Sequence, residues 1–442
     1  MFKKEALFIR HILSVLLFFL IINFLLLDIT FANNDAQLQK KINLAKPNDI
    51  VTIADGVYTQ PLIINKPITL KGSNNVTFKS SSDDPSITII ANNVTLSDIK
   101  FVGNSDNVKR SEVLVIGNYN KLINLKIKTN GFGVKLNKAH YNELTNIQVE
   151  GNKSVPFSQR NNGIDLLGAH YNVIKESAFK HVQDGIYLES SKYNSLVSNL
   201  STQSRYGYHL MFTEENTLEQ NESYKNVSGI MVMGTKGTIV KNNTLMYNND
   251  GVQSLGLLLY DVVDAEISNN RIAENRIGIF MEETTYSNLM MNDLQRNYIG
   301  IQLKKSKDNI IKENSLVSNV VQGQAERSSN NLTNSNYWGD HQGLDLNGNG
   351  LSDLSYTVDP FFLSLTSKFP PFQLFFQAPG MIFLEQLLHT PTEQWLIDAS
   401  PLINNSTKLD NAKLAESNNV LFFSLFLLLI SLTTILLGVK KQ

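Results

Sequence analysis

Asn194-Ser-Leu-Val-Ser-Asn-Leu-Ser-Thr-Gln-Ser-Arg-Tyr-Gly-Tyr-His-Leu-Met-Phe-Thr-Glu-Glu215 is one unit of a repeat, and the unit begins again at Asn216. Its opening phrase is Asn, any residue, an aliphatic residue, two residues, then a second Asn or similar. The anchors Asn120, Asn142, Asn172, Asn194, Asn216, Thr238, Ala265, Asn288, Asn309 and Asn331 lie 22, 30, 22, 22, 22, 27, 23, 21 and 22 residues apart. A period of roughly 20–25 residues marks a solenoid, and within each period the apolar residues alternate instead of following helical spacing. The expected fold is all-β: a right-handed parallel β-helix of ~22-residue coils, with function on its outer surface.

A second signal sets the register. Each coil carries a Gly followed by a short alternating strand, from Gly133-Val-Lys-Leu-Asn through Gly207-Tyr-His-Leu-Met to Gly300-Ile-Gln-Leu-Lys. The first and third residues after Gly are nearly always aliphatic, as in Ile186/Leu188 and Ile230/Val232. Strand side chains alternate faces, so these fill the coil and the second and fourth face outward. The Gly is expected to supply the backbone geometry of a tight corner. The Asn column is expected to be structural, bonding turn backbone and stacking on the next coil.

The 442 residues are 42% hydrophobic and 18% charged, with a formal net charge of −1, so no basic field argues for nucleic acid. The absence of cysteine excludes a disulfide, a thiolate metal site and a lipidated Cys. Residues 1–32 read as a signal peptide: Lys3, Lys4 and Arg10, the apolar run Ile12–Leu27, then a cut after Ala32. An uncleaved anchor is the alternative. Residues 33–72 read as an N-terminal cap, 73–338 as the β-helix, 339–359 as an Asp/Asn/Gly loop, 360–400 as an apolar arm and 401–418 as a linker. Residues 419–440 read as a C-terminal transmembrane helix: Val420–Val439 carries no charge, spans roughly 30 Å if helical, and precedes Lys440-Lys441, which set the tail inside. The β-helix is then expected at the cell membrane on the extracytoplasmic side. Two coils carry insertions, near Asn152–Asn161 and Asn248–Gln253.

The outward positions of successive coils form columns. The second position reads Lys135, Asp165, Tyr187, His209, Met231, Leu258, Phe280, Gln302, and the fourth reads Asn137, Leu167, Glu189, Met211, Met233, Tyr260, Glu282, Lys304. Two consecutive coils therefore display His209, Met211, Met231 and Met233, expected to be exposed. Imidazole with thioethers is a soft donor set suited to Cu(I), held weakly and transferably. An apolar docking patch of adaptable methionines fits the same residues. A carbohydrate-active β-helix is the enzymatic alternative. The carboxylates Asp165, Glu189 and Glu282 read as lying on separated coils, so the paired carboxylates of glycoside chemistry are not expected in one column, although Asp184 and Glu214 could supplement the set from loops. Beyond the coils, Asp345, Asn347, Asn349 and Asp353 match the first half of a Ca²⁺ loop, but Tyr356 stands where the bidentate Glu belongs. A Ca²⁺ site and an ion-free Asx-rich turn both fit. In the arm, Phe375, Phe376, Met381 and Trp395 are expected to dock a partner, the alternative being that the arm folds back as a cap.

Three stretches carry a resemblance: Arg205-Tyr-Gly-Tyr-His-Leu-Met-Phe212; Asn336-Tyr-Trp-Gly with Gly343-Leu-Asp-Leu-Asn-Gly-Asn-Gly-Leu-Ser-Asp353; and Gln377-Ala-Pro-Gly-Met381 with Asp398-Ala-Ser-Pro-Leu402. In this order they resemble the NosD family, β-helical proteins of nitrous oxide reductase maturation, from the mature start to about residue 402. The resemblance implies a non-enzymatic extracytoplasmic protein working with an ABC transporter of a NosF-type ATPase and a NosY-type permease. It implies copper taken from a NosL-type chaperone and passed toward the copper-sulfur cluster of nitrous oxide reductase. Assigning copper to His209 and the three methionines rests on this chain's register, not on a family motif. The C-terminal span departs from the family pattern, which ends near Pro401-Leu402 and is soluble.

Overall fold

The computed structural model describes residues 35–79, 83–103, 109–251, 254–375, 378–392 and 395–405. The stretches read as a signal peptide (1–32) and a transmembrane helix (419–440), most of the stretch read as a linker (401–418) and Phe376 lie outside these residues. Among the described residues no helix is long and apolar enough to cross a membrane.

The chain winds through thirteen coils of a parallel β-solenoid, of right-handed type. Three sheets of thirteen, thirteen and twelve strands run the length of the stack, each strand pairing only with its equivalents in neighbouring coils. The alternation places the core as expected: Ile186, Leu188, Leu210, Ile230, Val232, Leu257 and Leu259 are fully buried in the lumen. Tyr208 sits among them, and its hydroxyl donates to the carbonyls of Asn199 (2.7 Å) or Glu222 (3.0 Å). A buried phenol needs such a partner.

The Asn columns are hydrogen-bond ladders. The backbone N–H of Asn194 donates to Asn216 Oδ1 (2.7 Å), and the Asn194 side-chain amide donates to Asn216 Oδ1 (3.1 Å) and to the Ala169 carbonyl (3.0 Å). A second ladder runs from Asn199 through Asn221, Asn243, Asn270, Asn292 and Asn314 to Asn336. A left-handed residue precedes each first-ladder Asn: Tyr141, Tyr171 and Tyr193 have φ of 55–57°. The ladder bonds and ring stacking at 4.8–4.9 Å offset that strain.

Two readings of the repeat are corrected. Ser287, not Asn288, continues the first ladder, accepting from Ala265 N–H through its hydroxyl (3.0 Å) and donating N–H to Asn309 Oδ1 (2.9 Å). Asn288 lies in the following strand. The repeated Gly column does not supply left-handed corners, because non-Gly residues occupy them. It supplies closeness: a Cβ on Gly207 would lie 2.5 Å from the Gly229 carbonyl oxygen and 2.6 Å from Ser223 Oγ.

The ends also differ from expectation. Strands already join the three sheets from Ile50, so the N-terminal cap is the helix at residues 35–44, with Leu38 and Ile42 buried on the first coil. At the other end, strand Leu396–Asp398 pairs antiparallel with Tyr356–Val358. Asp398 ends the second ladder by accepting from Asn336 N (2.9 Å), Asn336 Nδ2 (3.0 Å) and Trp338 Nε1 (3.0 Å). The arm therefore caps the solenoid.

Candidate functional site

Backbone pairing places the outward columns as read. Lys135, Asp165, Tyr187, His209, Met231, Leu258, Phe280 and Gln302 are neighbours in register, as are Leu167, Glu189, Met211, Met233 and Tyr260. His209 pairs with Met231 and Met211 with Met233, so all four candidates share one outer patch of the third sheet. The expectation that these side chains are exposed is corrected: His209 and Met231 are each 8% exposed, and Met211 and Met233 are half-buried. Large neighbours at about 4.8 Å spacing cover one another. Met231 joins Leu255 and Leu258 in an apolar cluster flanked by Tyr206, Met233, Ile277 and Phe280.

His209 is held by a pair of groups that the register did not bring forward. Its Nδ1 lies 2.9 Å from Asp184 Oδ2, and Asp184 is 1% exposed. Arg205 grips the same carboxylate with two bonds, Nε to Oδ1 at 2.9 Å and Nη2 to Oδ2 at 2.7 Å. A carboxylate oxygen only accepts, so Nδ1 carries a hydrogen, and in the neutral ring the free lone pair is on Nε2. That Nε2 is buried and has no hydrogen-bond partner among the described residues. Tyr187 and Tyr206 wall the ring at centroid distances of 4.9 and 5.3 Å. The Tyr187 hydroxyl is 3.1 Å from Glu189 Oε2 and 3.5 Å from Met211 Sδ. Burial, then the Glu189 charge, pushes the Tyr187 phenol well above its ordinary value, so it stays protonated.

The carboxylates are less separated than the sequence suggests. Asp165 lies one coil from Glu189, and burial raises its carboxyl above the usual range, with Glu189 and Asp184 adding to the shift. Asn162 Nδ2 donates to Asp165 Oδ2 (2.8 Å) and opposes it. The column one residue before each Gly (Asn162, Asp184, Tyr206, Ser228) carries this hidden polarity, and reading it would have found the clamp. Among the described residues no three His, Asp or Glu side chains converge as a hard-metal site. The donors on offer are one imidazole and thioethers, the soft set that Cu(I) prefers.

The other candidates fall elsewhere. The oxygens of the Asp/Asn/Gly loop bind its own backbone. Asp345 accepts from Gly348 N (2.7 Å) and Gly350 N (2.9 Å), Asn347 from Asn349 N (3.0 Å), Asn349 from Leu351 N (2.8 Å) and Asp353 from Leu346 N (2.8 Å). This is the geometry of an Asx-rich turn. In the arm, Met381 is 4% exposed and packs in the core, which removes it from the expected docking set. Trp395 is half-buried against His389 and donates to the Thr390 carbonyl (3.1 Å). Phe375 is 54% exposed, and Phe369, Leu374, Phe383 and Leu387 of the arm are exposed as well.

Residues 145–351 match the NosD family, described as periplasmic copper-binding protein (NosD), which bears out the resemblance over those coils. No curated protein matches the chain. Among solved structures, the pre-mature bacteriophage phi29 gene product 12 superposes with a TM-score of 0.52 at 10% identity, over 68% of this chain and 50% of that one. Alginate lyase AlyF-OU02 in complex with G6 gives 0.51 at 14% identity, over 69% and 83%. The Azotobacter vinelandii mannuronan C-5 epimerase AlgE6 A-module gives 0.48 at 12%, over 68% and 88%. The first two likenesses bear on the fold alone.

Proposed function

We propose that this chain, NosD-like across the coils that hold the His209 patch, is a non-enzymatic extracytoplasmic carrier of copper for nitrous oxide reductase maturation. The observation that carries the reading is the buried, unpartnered Nε2 of His209, set by the Asp184–Arg205 clamp beside three in-register methionines. A histidine whose other nitrogen bonds a carboxylate is oriented for a metal. Copper here is cargo. His209 Nε2 and the sulfurs of Met211, Met231 and Met233 would hold it as Cu(I), and flexible thioethers would shift to admit and release it. Neutral donors leave the cation's charge uncompensated, which suits transfer more than storage.

The carrier would take copper from a NosL-type chaperone and work with a NosF/NosY-type ABC transporter. The exposed face of the arm, with Phe369, Leu374, Phe375, Phe383 and Leu387, would meet the permease, and the segment 419–440 would tether the chain to the membrane. In cells, His209→Ala should yield reductase lacking the absorption of its copper-sulfur cluster. Normal cluster content with that variant would remove the copper role from this patch.

A second reading rests on a specific observation. Buried Asp165, Asp184 and His209 with half-buried Tyr187 and Arg205 together make an acid/base set on a β-helix face, where a carbohydrate-active protein would carry one. Chain cleavage or epimerisation in a polysaccharide screen would favour it over copper transfer.

A further inference from the structure

Both inserted loops leave the solenoid at the same corner, between the second and third sheets. One follows strand Gln148–Glu150 and the other follows Thr244–Met246. Between them His181, Gln203, Lys225 and Tyr247 occupy the same left-handed turn position of consecutive coils, with φ of 55, 51, 52 and 58°. Their side chains form a row stepping about 4.8 Å per coil. The row floors a cleft of about 410 Å³ walled by Lys153, Phe157 and Arg160 at one end and Asn249 and Asp250 at the other.

The charge in this cleft is unbalanced. On the outer faces several lysines pair with a glutamate of a neighbouring coil: Lys175–Glu143 at 2.6 Å, Lys192–Glu214 at 2.7 Å, Lys304–Glu282 at 2.7 Å. Among the described residues Lys153 and Lys225 have no such partner, and both are exposed. Arg160 is only 7% exposed, yet no carboxylate among the described residues meets it. Its Nη1 and Nη2 donate to the carbonyls of His181 (2.9 Å) and Lys153 (3.0 Å), Phe157 covers its face at 4.9 Å, and its buried Nε–H has no acceptor. A buried guanidinium is rarely left without a counter-charge. Among the described residues Asp250 is the single carboxylate on the lining, against Lys153, Arg160 and Lys225.

We infer that the cleft between the two inserted loops binds a small multivalent oxyanion, a phosphate or a polycarboxylate. The anion would sit over the turn row, held by Lys153, Lys225 and His181, with the fixed charge of Arg160 beneath it. Arg160 is buried by its own loop, so the site is ready-made. This site is separate from the copper patch and its test is independent of copper.

The test is calorimetric titration of the full chain with inorganic phosphate and, separately, with citrate, at about 0.1 M salt, where weak surface attraction is screened. Saturable one-to-one binding is expected for at least one anion, and which one binds tells phosphate from carboxylate. Arg160→Met should weaken it about tenfold or more, the effect of losing a charged contact, and Lys225→Gln several-fold. Lys241→Gln, whose lysine pairs with Glu219 at 3.4 Å, should bind as wild type. The His181 imidazole proton resonances should titrate at higher pH with the anion bound. If Arg160→Met disturbs its loop, the exposed Lys225→Gln decides. Absence of saturable binding for both anions, or wild-type affinity in Lys225→Gln, overturns the site.

Discussion

Replacing Asp184 with Asn tests the clamp that prepares His209. The substitution keeps the shape and one acceptor oxygen but removes the charge that Arg205 grips at 2.7 and 2.9 Å. Breaking a fully buried ion pair by deleting one partner costs about 3–5 kcal/mol. Here Asp184 is 1% exposed but the Arg205 side chain is 34% exposed and recovers water, so a loss of about 1–3 kcal/mol is expected. At His209 a charge-assisted bond becomes a neutral one, and the Asn amide can also turn its NH₂ toward Nδ1. Nδ1–H is then no longer enforced. Removing the orienting partner of a ligating histidine lowers metal affinity about 10–100-fold. The assay is anaerobic Cu(I) competition against a chromophoric chelator, beside urea unfolding of the same preparations. Reduced stability with unchanged copper affinity would refute the reasoning, because the clamp would then serve the fold alone.

Three further outcomes follow from the geometry. Gly207→Ala places a Cβ 2.5 Å from the Gly229 carbonyl and should destabilise the stack by about 1–3 kcal/mol in denaturant unfolding; wild-type stability would return the Gly column to a turn role. Asp165 keeps its proton to higher pH when folded than when unfolded, so the folded state binds more protons and stability falls as pH rises from about 3.8 through the raised value. Asp165→Asn should therefore match the wild type in acid and exceed it at pH 7 in urea unfolding; equal stability at pH 7 would contradict the shift. Replacing exposed Leu374, Phe375, Phe383 and Leu387 with Ser, while keeping the capping strand Leu396–Asp398, should leave a folded protein that no longer co-purifies with the permease. Undiminished co-purification would leave the arm as a cap only.

The register of the coils was legible because a repeat of 22 residues returns each side chain to the same column. His209, Met211, Met231 and Met233 were therefore placed together from spacing alone, and the structure pairs them. Chemical function within a column was less legible. A Gly needed for a left-handed turn and a Gly needed for close approach read alike, and only the 2.5 Å clearance at Gly207 separates them. Ser287 is hard to tell from Asn288 in the sequence because a hydroxyl accepts the ladder N–H as well as an amide oxygen does. The clamp on His209 stayed hidden because Asp184 and Arg205 belong to different coils and lie 21 residues apart. Exposure escapes the sequence for the same reason, since burial of Met231 comes from its cross-coil neighbours Tyr206, Leu255 and Leu258. The cap depends on Asp398 reaching Asn336 across 62 residues with no repeat to announce it.

The most direct test of the central claim is anaerobic Cu(I) titration of the full chain and of the triple variant Met211→Leu, Met231→Leu, Met233→Leu. Leu nearly conserves the volume of Met, so the apolar cluster around Met231 should survive with less than about 1.5 kcal/mol lost per site. The account predicts one Cu(I) bound by the wild type and affinity lowered by two or more orders of magnitude in a variant that remains folded. Equal Cu(I) binding by both proteins would contradict it and leave the patch as apolar packing.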